Sequence, residues 1–118
     1  MIQLDRLGYQ YAKKEPILKE ISVEFSAGKI YGLLGKNGAG KSTLIKNMTG
    51  MLFPATGSCK VNGFIPGNRE LAFLQKLFFV PEEYYLPNVT IRQLLKVYPK
   101  FYPNFDSQQF KGYLDTFD

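Results

Sequence analysis

Apolar positions in the first eleven residues fall at Ile2, Leu4, Leu7, Tyr9 and Tyr11, with polar residues between most of them. A pattern of this kind turns one face of a β-strand toward a core and the other toward water. Lys13, Lys14, Glu15 and Pro16 read as a polar turn, and a second such run follows through Leu18, Ile21, Val23 and Phe25. The two runs predict an antiparallel hairpin. Ser26-Ala27-Gly28 breaks the pattern, and Lys29-Ile30-Tyr31-Gly32-Leu33-Leu34 is a short apolar run of the buried-strand type. A glycine-rich stretch comes next, and then a helical pattern over residues 41–49 that Gly50 is placed to close.

Beyond Pro54 the elements are shorter. Residues 58–62 predict a strand that ends at the turn dipeptide Asn62-Gly63. Residues 70–76 fit one or two helical turns, and Leu77-Phe78-Phe79-Val80 is a second buried-strand run that Pro81 stops. Thr90 and Gln93 have the spacing of a capping box, which predicts a helix over 91–98 ended by Pro99. Asp106 is placed to cap a last helix over 107–117. The chain shows no internal repeat, heptad array or low-complexity tract. These elements predict an α/β class with antiparallel strands added at the front.

Composition narrows the function classes. Apolar residues make up 45% of the 118 and charged residues 21%, which is ordinary globular usage and excludes general disorder. A chain of this length buries roughly 65% of its extended surface. With a single cysteine, Cys59, no internal disulfide can form. The apolar runs at 31–34 and 77–80 are far shorter than the ~20 residues of a membrane span. The net charge of +5 comes from scattered lysines, such as Lys19, Lys36, Lys46, Lys60 and Lys76, so it describes a solvated surface. No nucleic-acid partner is expected. The chain contains no histidine, which removes histidine catalysis.

The glycine stretch carries the chemistry. Gly35-Lys36-Asn37-Gly38-Ala39-Gly40-Lys41-Ser42 fits the phosphate-loop pattern G-x-x-x-x-G-K-[ST]. Glycines let the backbone curl until several N–H groups face one concavity, and the following helix adds its unpaired N–H groups and positive dipole end. Lys41 is placed to reach the β- and γ-phosphates, Ser42 to give its hydroxyl to Mg²⁺, and Thr43 to hydrogen-bond the α-phosphate. A random chain of this length matches the bare pattern with a probability of roughly half a percent. The apolar run before the loop and the helix after it supply the expected context, so nucleotide binding is the leading expectation.

The wording of the loop, continued through Thr43-Leu44, resembles the Walker A segment of ABC-type ATPases. Other segments agree with that family in order and spacing. Tyr11 matches the aromatic that stacks on adenine, and the run Ile17-Leu18-Lys19-Glu20-Ile21-Ser22 resembles the segment after it, with Ile17 placed at the base edge. Phe79-Val80-Pro81-Glu82 resembles the Q-loop entrance, and Val89-Thr90-Ile91-Arg92 the start of the helical subdomain. The resemblance spans roughly residues 1–98. It implies an incomplete P-loop NTPase core over 1–86, with the start of a helical subdomain over 87–118. It also implies Mg·ATP as ligand, a head-to-tail dimer with a second ATP-binding subunit, and a transmembrane permease partner. The implied location is cytoplasmic, on the inner face of the cell membrane. Tyr84, Tyr85 and Leu86 are candidates for touching that permease.

The chain departs from the family pattern at two places. The Q-loop glutamine is replaced by Glu82, a hard oxygen ligand suited to Mg²⁺ alongside Ser42. Its charge would repel a γ-phosphate by about 4 kcal/mol at ~4 Å and an effective dielectric of ~20, so binding should depend more steeply on the metal. Second, the family's Leu-Ser-Gly-Gly-Gln signature, Walker B acids and switch histidine occur nowhere in the 118 residues. No catalytic residue is therefore assigned, and a fragment, a shortened version or a degenerate relative of the complete domain is expected. Without later strands to pair with, residues 30–34 should form an open apolar edge. Two further readings stand beside the transporter subunit. One is a non-catalytic half-domain that binds nucleotide or a partner; the other is a soluble ABC ATPase of translation or DNA repair.

Overall fold

The structure is a computed structural model that describes every residue except Lys13, Lys14, Tyr84, Leu86 and Asp118. The polar turn at Lys13 and Lys14, and the contact roles of Tyr84 and Leu86, lie outside the described residues. The chain divides into two compact units, Met1–Phe73 and Leu74–Asp118.

The first unit is built on a three-stranded sheet of order β2-β1-β3, in which β1 (Ile2–Tyr9) pairs antiparallel with both β2 (Leu18–Phe25) and β3 (Thr56–Val61). The expected hairpin is present, and its irregularities follow the apolar spacing. Leu4 and Leu7 stand three residues apart, one more than strict alternation allows, and both are buried. The register against β2 shifts between Leu4 and Leu7 and that against β3 between Asp5 and Gly8, and Arg6 takes a left-handed φ of 45°. On β2 the same three-residue gap separates Leu18 from Ile21, with Glu20 at φ 48°. Each extra residue is absorbed as a bulge, which returns the next apolar side chain to the core face.

Helix α1 (Lys41–Met48) buries Thr43, Leu44 and Asn47, and the core adds Leu4, Leu7, Leu18, Cys59, Val61 and Phe73. Asn62 and Gly63, at φ 49° and 83°, form the turn after β3, closed by paired bonds between Val61 and Phe64 at 2.8 and 2.9 Å. Both central residues need positive φ, which is why Asn-Gly signals this turn. A 3-10 turn (Pro66–Asn68) and the short α2 (Leu71–Leu74) follow.

In the second unit, α3 (Ile91–Phe101) starts on the expected capping box. Gln93 N–H donates to Thr90 Oγ1 at 3.3 Å, and Thr90 N–H donates to Gln93 Oε1 at 2.8 Å. Helix α4 (Ser107–Phe117) starts at Asp106, whose Oδ1 accepts from the N–H groups of Gln108 and Gln109, both at 2.9 Å. Phe78, Tyr98, Tyr102, Phe105 and Phe110 form a chain of ring contacts 5.6–6.1 Å apart.

Three sequence expectations are corrected. Residues 29–36 belong to no strand; Ile30 and Leu34 are almost fully exposed. Residues 77–80 are likewise outside any strand, with Phe78 and Val80 exposed. An apolar run becomes a strand only by pairing, and among the described residues neither run has a neighbouring strand. The open edge expected at 30–34 is thus a segment outside any strand. Third, Pro99 lies inside α3. It removes one intrahelical bond so near the end that the next turn still closes, with Tyr102 N–H donating to Tyr98 C=O at 2.9 Å.

Candidate functional site

The loop over residues 35–40 leads into α1 through Gly40, which serves as the N-cap at φ 94° and ψ 9°. A side chain is excluded there twice over. The conformation is left-handed, and a Cβ would stand 2.8 Å from Leu18 Cδ2 and 2.9 Å from Ile17 Cγ2. The helix therefore starts with no side-chain cap bond, and no acid lies in its first turn. The first N–H groups of a helix have no partner within it, and its dipole places positive potential at that end. An N-terminus with neither a capping oxygen nor a carboxylate suits an external anion.

Lys41 turns back over the loop. Its ammonium donates to the carbonyls of Gly35 at 2.7 Å and Lys36 at 2.8 Å, while Ala39 N–H donates to Lys36 C=O at 3.1 Å. The loop is thus wrapped around the Lys41 ammonium. Gly38 takes φ 81° and has open space beside it. Lys36, Asn37 and Ala39 are exposed along the same loop, and Ser42 is the second residue of α1.

The structure gathers Tyr11 and Ile17 with this loop. The hydroxyls of Tyr11 and Thr43 stand 3.3 Å apart, and the Tyr11 ring meets Tyr9 edge-on at 4.9 Å and 83°. Ile17 is tied to β1 by its N–H, which donates to Tyr9 C=O at 2.9 Å. Glu82 belongs to the second unit, whereas Ser42 belongs to the first. Among the described residues no cluster of three or more Cys, Asp or Glu could hold a metal alone. A metal here would need oxygens from its ligand, as Mg²⁺ usually does with phosphates.

Sequence reasoning missed the Tyr11–Thr43 contact and the seat of Leu18 against Gly40. The first joins residues 32 positions apart, and no local pattern signals such a pairing. A cavity of about 570 Å³ lies in the second unit. Its lining includes Phe78, Tyr98, Tyr102 and Phe110 and no charged residue, which does not suit a phosphate.

Known proteins agree with this arrangement. A family model described as ABC transporter matches residues 18–117. The linearmycin resistance ATP-binding protein LnrL of Bacillus subtilis is 37% identical over 103 residues, covering 86% of this chain and 33% of that protein. The energy-coupling factor transporter ATP-binding protein EcfA of Methanosarcina acetivorans is 32% identical over 115 residues, covering 79% of this chain and 42% of that protein. A solved ATP-binding subunit of an ABC transporter shares the fold at TM-score 0.78 and 23% identity, over 93% of this chain and 45% of that one. The protein cbiO1 from Clostridium perfringens matches at TM-score 0.52 and 33% identity, over 54% of this chain and 26% of that one. The chain spans a third to under half of the length of the two curated relatives. The fold is that of ABC-type P-loop ATPases, and the chain belongs to the family of ABC transporter ATP-binding domains.

Proposed function

We propose that this chain binds Mg·ATP and is the nucleotide-binding part of the energy-coupling subunit of an ABC transporter. The observation that carries the reading is the start of α1. It is an anion-ready N-terminus with no capping side chain and no first-turn acid, with the Lys41 ammonium held at the loop. In this reading the backbone of Gly35, Lys36, Asn37, Gly38, Ala39 and Gly40 wraps the phosphates. Lys41 takes the β- and γ-phosphates, Thr43 the α-phosphate, and Ser42 and Glu82 contribute oxygens to Mg²⁺. Tyr11 stacks on adenine with Ile17 at the base edge. The bound ion supplies positive charge that offsets the triphosphate. These residues bind and orient; none positions a water nucleophile, so the 118 residues hold nucleotide without turnover.

Coupling follows from the family. Residues 1–86 serve as the P-loop core and 87–118 as the start of the helical subdomain. A second ATP-binding subunit closes on the site head-to-tail, and a transmembrane permease is driven from the Q-loop side. The similar cbiO1 is described as part of the transporter complex cbiONQ, which supports a membrane partner. Tyr85 is 91% exposed and is the described candidate for that contact. The subunit then sits in the cytoplasm on the inner face of the membrane. Among the described residues no helix is long and apolar enough to cross it.

Calorimetric titration with Mg·ATP tests the reading beside Lys41→Ala. The expected result is micromolar binding that weakens at least about tenfold in the variant, since a bond to a charged group contributes ~1.5–3 kcal/mol. Equal binding by both proteins, or none by either, overturns it. A Glu82→Gln arm should flatten the magnesium dependence of affinity; an unchanged dependence removes Glu82 from the metal. A second reading, a half-domain that binds without ever turning over, draws on the unpaired segment at 29–36. Under the first reading a full-length version carrying the signature and Walker B segments should hydrolyse ATP; under the second there are no such residues to restore.

A further inference from the structure

The hydroxyl contact between Tyr11 and Thr43 bridges the two ends of the proposed nucleotide site, and it is made within the protein itself. Thr43 is 7% exposed, so little of it is open to an incoming group, and the Tyr11 hydroxyl stands on its Oγ1. Tyr11 is held a second time through its ring, which meets Tyr9 edge-on. In a nucleotide the base is carried on C1′ and the α-phosphate on the C5′ oxygen, at different ends of the ribose. With Thr43 this closed, the Tyr11 hydroxyl and an α-phosphate oxygen would approach the same Oγ1 from what little of it is open.

We propose that Tyr11 is a latch: in the nucleotide-free chain its hydroxyl occupies Thr43, and a nucleotide binds only after this bond opens and the ring withdraws to become the base platform. The inference rests on the nucleotide-binding reading above and adds a competition to it. Tyr11 then acts with two signs, its ring favouring the bound state and its hydroxyl the empty one. A contact of 3.3 Å is long for a hydroxyl pair, so the latch is weak. Its opening should lower the apparent affinity by roughly two- to fivefold, the range of a modest net hydrogen bond. The intrinsic affinity is multiplied by the fraction of open molecules, so the effect enters through the association rate.

The test has two parts. In the nucleotide-free 118-residue chain with ¹³C-labelled tyrosine, Thr43→Val should shift the Tyr11 ring signals while Thr43→Ser leaves them near their original positions. No shift with Val means the contact is absent, which overturns the proposal. In stopped-flow binding of Mg·ATP, Tyr11→Phe keeps the ring and removes the hydroxyl. It should associate about two- to fivefold faster with an unchanged dissociation rate, whereas Tyr11→Ala should dissociate faster. Equal or slower association by Tyr11→Phe overturns the latch and leaves nucleotide binding intact. If the unmodified chain takes up no Mg·ATP although Thr43→Val still moves the Tyr11 signals, the nucleotide reading has failed. The latch fails with it, and the contact is then plain packing.

Discussion

Cys59 shows what a single buried side chain contributes here. It lies on the middle of β3 opposite Leu4, and burial raises its thiol pKa from an ordinary 9.0 to about 11. Below pH 9 the thiol is protonated in both folded and unfolded chains and adds no pH dependence. Between 9 and 11 the unfolded chain ionises while the folded one does not, so stability falls as pH rises. The loss across that window is roughly 2–3 kcal/mol. Cys59→Ala should therefore lose less stability than the unmodified chain between pH 9 and 10.5, as read from urea midpoints. Parallel slopes would show that the thiol ionises as freely in the fold as outside it. The thiol's role is filler in an apolar layer, as a lone cysteine on a strand suggests.

At the scale of elements, local chemistry decides where a segment starts, and neighbours decide whether it persists. Helix α3 has no buried residue, so its cap supplies a large share of what holds it. Thr90→Ala removes the hydroxyl that accepts from Gln93 N–H and should cost about 1 kcal/mol. The expected readout is amide exchange roughly fivefold faster in the first turn of α3, with α1 unaffected. Exchange unchanged in that turn would mean that tertiary contacts, not the capping box, hold the helix start. The hairpin makes the complementary point. Its two bulges are written in the spacing of Leu4, Leu7, Leu18 and Ile21, yet they form only because each strand has a partner to define a core face.

At the scale of the whole molecule, the exposed apolar run at 29–36 is the outstanding feature. Ile30 and Leu34 are open in a segment whose backbone enters no sheet. An exposed apolar segment whose backbone enters no sheet is a site for association with other chains. Sedimentation should show concentration-dependent association, and the double change Ile30→Lys with Leu34→Lys should reduce it without lowering the melting temperature, because both side chains are already in water. A monomer at every concentration, in both proteins, would contradict this.

What the sequence determined by itself were features set by neighbours a few residues apart. The strand faces of β1 and β2, the Asn62-Gly63 turn, the capping box at Thr90, the Asp106 cap and the glycine loop with Lys41 are all of this type. Each depends on side-chain period, backbone conformation or a bond within four positions, so a linear pattern suffices to display it. Tertiary structure alone decided that Tyr11 reaches Thr43, that Leu18 and Ile17 back Gly40, and that residues 29–34 and 77–80 stay out of any sheet. The first two depend on how β1, β2 and α1 pack, which no short stretch encodes. The last depends on pairing, because an apolar run states only that it can be buried, and burial needs a second surface to meet it.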